Sequence, residues 1–173
     1  MVKDYINKNM IKMVKNTNLN VGSESGISGD YGESFIAYLL SKKGVNVVRA
    51  KTVGFDLFAI DKIGHILPKD KLIGISVKMR ASRSNKNYLP TIPMGSTNII
   101  KASRTWNVIP YIGIVVGNKD GSISASVFPF AEMHNLKGRA KRKDVVAFSA
   151  INKLGSKYFR FNLKADNIGN KNT

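Results

Sequence analysis

Apolar and polar residues alternate with a two-residue period over GFDLFAI (54–60) and again over IGISVKMR (73–80), the pattern of strands that bury one face. In the first run the alternation puts Asp56 on a face with Phe58 and Ile60, and Phe55, Leu57 and Ala59 on the other. In the second, Ile73, Ile75, Val77 and Met79 make an apolar face, and Ser76 and Lys78 share the opposite one. A turn-rich connection with Gly64 and Pro68 joins the runs, so strands over about 54–61 and 72–79 are predicted to pair as a hairpin. A carboxylate and an ammonium thereby come onto neighbouring strands.

Helical spacing marks two further elements. Phe35, Ile36, Leu39 and Leu40 form a stripe that predicts a helix over about 31–43, stopped by Gly44, with a strand at about 45–50 after it. The preceding VGSESGISGD reads as a Gly/Ser-rich loop, with Asp30 as N-cap and Glu33 reaching back in a capping box. A second helix is predicted from Ser96 or Thr97 to about Trp106, after a long mobile loop, RASRSNKNYLPTIPMGS. YIGIVVG (111–117) is continuously apolar, as in a central strand covered on both faces. GNKDG then predicts a turn into ISASVFPF, and KYFRFNL (157–163) a last strand. The expected architecture is α/β, one domain with a central mixed sheet flanked by helices. It spans 29–163, with a leader or arm at 1–28 and a disordered tail at 164–173.

Charge changes the picture most. The 173-residue chain carries 28 Lys plus Arg against 11 Asp plus Glu, a net +17, and such a surface attracts polyanions. Nucleic acid is the first candidate, ahead of an acidic membrane and an acidic protein. No apolar stretch reaches the length of a membrane span, and the expected location is the cytosol or nucleoid. Cysteine is absent, which removes disulfides, thiolate nucleophiles and zinc–thiolate clusters. His65 and His134 stand far apart in turn or loop contexts and give little support to a histidine site.

Acids are scarce enough to narrow the candidate chemistry. Of three glutamates, Glu24 falls in the Gly/Ser stretch and Glu132 far from the hairpin, while Asp61, Asp70 and Asp120 occupy turn contexts. Glu33, on the border of the helix stripe, and Asp56 are left at the centre. Two readings of Asp56 and Lys78 stay open on the residues alone. One is a structural ion pair at a sheet edge. In the other, Asp56 holds a divalent cation and Lys78 orients a water and steadies charge developing on a phosphate.

A helix beginning GESFIAYLLSKKG, the strand VNVVRA, the GFDLFAI strand and GISVK, carrying Glu33, Asp56 and Lys78 in that order, resemble the PD-(D/E)xK nuclease superfamily. The resemblance runs over about 29–117, and the compact layout looks most like archaeal-type Holliday junction resolvases and related small endonucleases. It implies a restriction-endonuclease-like core that hydrolyses DNA phosphodiesters with Mg²⁺, for which Mn²⁺ substitutes. Asp56, Glu33 and the carbonyl of Val77 would be metal ligands, Ser76 a weak or water-mediated one, and Lys78 would position the water. Paired cuts on a branched junction would call for a homodimer. The family usually has Glu or Asp where this chain has Ser76, and a neutral hydroxyl is a poorer ligand for a hard cation. A catalytically inactive nucleic-acid-binding protein on the same fold is therefore the alternative, and an RNA-binding protein a third.

Basic residues around this scaffold would form a rim of phosphate contacts. They are Lys51, Arg80, Arg83, Lys86, Lys101 and Arg104, with Arg139, Lys141, Arg142 and Lys143 from the cluster KGRAKRK. No finger, zipper or RNP-type motif for base readout is present, so contacts are expected mainly to phosphates and duplex shape.

Overall fold

The computed structural model describes residues 21–50, 52–81, 91–93, 95–117, 122–134, 145–147 and 158–163. Helix α1 spans Val21–Lys42, followed by strands β1 (Asn46–Arg49), β2 (Leu57–Ile60), β3 (Leu72–Ala81) and β4 (Thr91–Pro93). Helix α2 (Ser96–Trp106) then leads to β5 (Ile109–Gly117), β6 (Ile123–Pro129), a 3-10 turn (Phe130–His134), β7 (Val145–Ala147) and β8 (Phe159–Leu163). This is an α/β fold built on a mixed six-stranded sheet of order β1-β2-β3-β5-β6-β8. The β3–β5 pair is parallel and its neighbours are antiparallel.

Parallel strands need a crossover, and here α2 lies in it between β3 and β5. The continuous apolar run of β5 follows. Ile112, Ile114 and Val116 join Ile99 and Ala102 of α2 in one core cluster, and Tyr111 and Val115 join Ile36, Leu39 and Leu40 of α1 in the other. Successive β5 residues thus face opposite helices, and β5 is covered on both sides as its sequence predicts. The apolar face of β3 also holds, with Ile73, Ile75 and Val77 buried in the α1 cluster and Met79 packed against it. Burying each of the fully enclosed Ile36 and Leu40 side chains contributes on the order of 1.5–3 kcal/mol, which fixes α1 to the sheet.

Four local expectations are corrected. The VGSESGISGD segment is helical, not a loop, so Asp30 and Glu33 lie within α1 and no capping box starts there. Glycines cost a helix about 1 kcal/mol each relative to alanine, which is why the segment reads as a loop. Phe55 does not share a face with Leu57 and Ala59. It precedes β2 and packs in the α2 cluster, whereas Leu57 and Ala59 pack under α1. Part of the expected loop after Lys78 is ordered into strand, since β3 runs to Ala81 and β4 pairs with β7 as a separate ribbon.

Asp61 is the fourth. It is no ordinary turn residue but a buried carboxylate, 2% exposed, whose two oxygens accept the backbone N–H groups of Ile63, Gly64, Ile66 and Leu67 at 2.7–3.0 Å. It organises the whole β2–β3 connection. Burial alone would raise its pKa; the bonds from Leu67, Ile66, Gly64 and Ile63 outweigh that and bring it down to about 2.

Candidate active site at the end of the β2–β3 hairpin

Strand β2 begins at Leu57, opposite Ile75, and beyond that point β3 has no β2 strand residue beside it. Asp56 takes over. Its own N–H donates to the Ile75 carbonyl at 2.9 Å, its carbonyl accepts Ala50 N–H at 2.8 Å, and its Oδ2 accepts the Val77 N–H at 2.6 Å. Three backbone-directed bonds therefore fix both the main chain and the carboxylate. Ser76 Oγ lies 3.5 Å from the same oxygen, a long contact, and Lys78 Nζ donates to Ser76 Oγ at 2.9 Å.

No direct Asp56–Lys78 ion pair forms among the described residues, so the simple structural pair is not what is found. Ser76 sits between them, 3% exposed, on the face opposite α1 and level with Ile112 of β5. The parity of β3 explains the arrangement, since residues two apart point the same way.

Glu33 arrives from α1. Its neighbour Gly32 is buried so tightly against β3 that a Cβ there would stand 2.9 Å from the Cβ of Met79, and only glycine lets the helix come this close. The Glu33 pKa is raised, first by burial and then by the negative charges of Asp56 and Asp30, while Arg49 and Lys78 pull it the other way. The charges of Asp56 and Lys78 thus both bear on Glu33, which couples the helix electrostatically to the end of the hairpin.

Two carboxylates that repel each other at a half-buried sheet end meet the electrostatic condition that a divalent cation relieves. Mg²⁺ is commonly held by one or two carboxylates and retained waters, so the donor set of Glu33 and Asp56 fits a hydrated ion of this kind. Among the described residues no group of three or more His, Cys, Asp or Glu side chains comes together, so a third ligand from these residues would be neutral.

Of the expected phosphate contacts, Arg80 is exposed two residues beyond Lys78, and Lys101 and Arg104 are exposed on α2. Lys51, Arg83, Lys86, Arg139, Lys141, Arg142 and Lys143 lie outside the described residues, as do 1–20 and 164–173. His65 is exposed, as expected. Sequence reasoning missed Arg49, which donates to Ser34 Oγ and acts on Glu33, and it missed Gly32. Arg49 closes β1 opposite Leu57, the residue after Asp56, and its place near the end of the predicted 45–50 strand was the available signal.

No helix among the described residues is long and apolar enough to cross a membrane. No protein-family model matches the chain, and no curated protein matches it. Among solved structures it is similar to Hjc, a Holliday junction resolvase from Archaeoglobus fulgidus, at 15% sequence identity and a TM-score of 0.46, over 70% of this chain and 90% of that one.

Proposed function

We propose that the protein is a metal-dependent endonuclease that hydrolyses DNA phosphodiester bonds, with branched DNA as the favoured substrate. The observation that carries the reading is the line Lys78–Ser76–Asp56, a 2.9 Å hydrogen bond followed by a long 3.5 Å contact, with Glu33 within electrostatic reach of both its ends. Chain order and residue types also resemble the PD-(D/E)xK pattern. The preference for branched DNA and the homodimer rest on that resemblance alone.

Asp56 and Glu33 would hold Mg²⁺, or Mn²⁺ in its place, with the Val77 carbonyl as a neutral ligand. The ion would supply Lewis acidity and neutralise charge on the scissile phosphate. Asp56 is suited to its role because the Val77 N–H and the two backbone bonds fix its orientation before substrate arrives. Lys78, tethered to Ser76, directs an ammonium at the same locus, where it orients the attacking water and stabilises the phosphorane-like charge. Arg80, Lys101 and Arg104 supply exposed cations that hold the backbone on either side.

A specific observation favours a second reading, a non-catalytic nucleic-acid-binding protein. Ser76 takes the usual place of an acid, and its hydroxyl is engaged by Lys78. The separating experiment is cleavage of a four-way junction, a linear duplex and single-stranded DNA, each with Mg²⁺, Mn²⁺ or chelator. Metal-dependent cutting of the junction supports the nuclease. Tight binding without cutting in either metal supports the binding protein.

A further inference from the structure

A groove of about 400 Å³ lies between α2 and the segment leading into Asp56, lined by Thr52, Val53, Asn98, Lys101, Thr105 and Trp106. Its closeness to the hairpin is built in by Gly54. With φ at +105° and its missing Cβ directed to within 2.7 Å of the Asn98 carbonyl oxygen and the Ala102 Cβ, Gly54 clamps the 52–54 segment onto the helix, two residues before Asp56.

The walls combine three chemistries. Trp106 is 49% exposed yet anchored edge-on against Phe58 at 5.8 Å, and Val53 opposite is 77% exposed. Both leave apolar surface open to water in the wall of the groove. Lys101 lines the groove, Arg104 follows three residues on, and α2 has no acidic residue at all. Of the polar lining groups, Thr52 and Thr105 spend their hydroxyl protons on the backbone carbonyls of Phe55 and Lys101. The Asn98 amide makes no hydrogen bond among the described residues and keeps both its donor and its acceptor.

We propose that this groove receives an unpaired nucleobase of the nucleic acid bound at the Asp56–Lys78 site, stacked on Trp106. The aromatic platform takes the base's π-face, Asn98 offers a donor and an acceptor to its edge, and Lys101 with Arg104 holds the flanking phosphates. A polyanion fits the charge of this helix, and an aromatic heterocycle fits the exposed indole; an unpaired nucleotide offers both. A fully paired duplex cannot present a base face without unstacking, so the groove would favour junctions, bubbles and single strands. The inference rests on the nucleic-acid reading of the site but not on cleavage.

Trp106 is the single tryptophan of the chain, so its emission reports this groove alone. The full chain, with chelator present to block cutting, is titrated with oligothymidylate, a fully paired duplex, and a duplex containing an internal bubble. Emission is expected to be quenched by oligothymidylate and bubble and little by the paired duplex. Trp106→Leu is expected to weaken bubble binding about 5- to 150-fold while paired duplex stays within about twofold, with Trp106→Phe intermediate. Because the quenching arm uses the wild type, a misfolded variant does not decide the matter. Equal quenching and equal affinity for paired duplex and bubble overturn the inference and leave DNA binding standing. Equal quenching by poly-glutamate assigns the groove to an acidic peptide instead. Binding of none of the three nucleic acids overturns this inference together with the reading beneath it.

Discussion

The Lys78 ammonium donates to the Ser76 hydroxyl across 2.9 Å, so the residue that replaces an acid in the resembled motif serves as the lysine's anchor. Ser76 is buried at 3% exposure, and removing its hydroxyl leaves Lys78 without that acceptor. Ser76→Ala is expected to cost about 1 kcal/mol in denaturant unfolding. It should also slow cleavage about tenfold through loss of lysine positioning. Metal affinity, measured by calorimetry, should hardly move, because the carboxylates remain.

Asp56 has a structural duty that any functional test must separate from its chemistry. Asp56→Ala strips the Val77 N–H of its acceptor at a residue only 8% exposed, and an unsatisfied buried donor costs about 1–3 kcal/mol. Asp56→Asn keeps an oxygen for that N–H and is expected to retain most of the stability while losing metal binding. Both variants should bind DNA at least as tightly as wild type in chelator, since a negative charge is removed. Urea titrations and chelated gel shifts check the two halves.

The Glu33 carboxyl has a raised pKa, by burial first and then by Asp56 and Asp30. A raised folded-state value means stability that is fully present below the unfolded value near 4.5 and is lost as pH rises through the folded one. Glu33→Gln is therefore expected to be more stable than wild type at about pH 7 and to lose that advantage near about pH 4. Mg²⁺ should raise the melting temperature of wild type and not of the variant. Thermal melts at both pH values, with and without metal, provide the check.

For Asp61 the sign is opposite. Its pKa falls from 3.8 to about 2, so its contribution is present above 3.8 and disappears as pH falls through about 2. By linkage the shift corresponds to about 2 kcal/mol. Asp61→Asn should lose about that much at neutral pH in urea unfolding, and the difference from wild type should close in strong acid.

Much of the sheet, and the neighbouring placement of Asp56 and Lys78 in the candidate site, could be read from residue order because the signals were local. Two-residue alternation placed the β2–β3 hairpin, helical spacing placed α2 at Ser96–Trp106, and an unbroken apolar run marked β5 as covered on both faces. What escaped depended on partners distant in sequence. Glycines disguised the first turns of α1, and the need for glycine at position 32 shows only once Met79 is seen against it. The β4–β7 ribbon pairs Thr91–Pro93 with Val145–Ala147, stretches too short to show a period. Asp61 resembled a turn aspartate, because its four backbone donors lie along a loop whose closure no local pattern reveals. Asp56 and Lys78 were legible as neighbours, but the Ser76 link between them needed the register.

The central claim is that Lys78 acts on the reacting phosphate at a metal held by Asp56 and Glu33. Its most direct test is the single-turnover rate of junction cleavage in Mg²⁺ for wild type and Lys78→Ala, each at DNA concentrations that saturate binding. The account predicts metal-dependent cutting by wild type and a loss of about 10²- to 10³-fold in the variant at unchanged junction affinity. Equal rates for the two proteins, or saturated binding with no cutting by wild type, would contradict it.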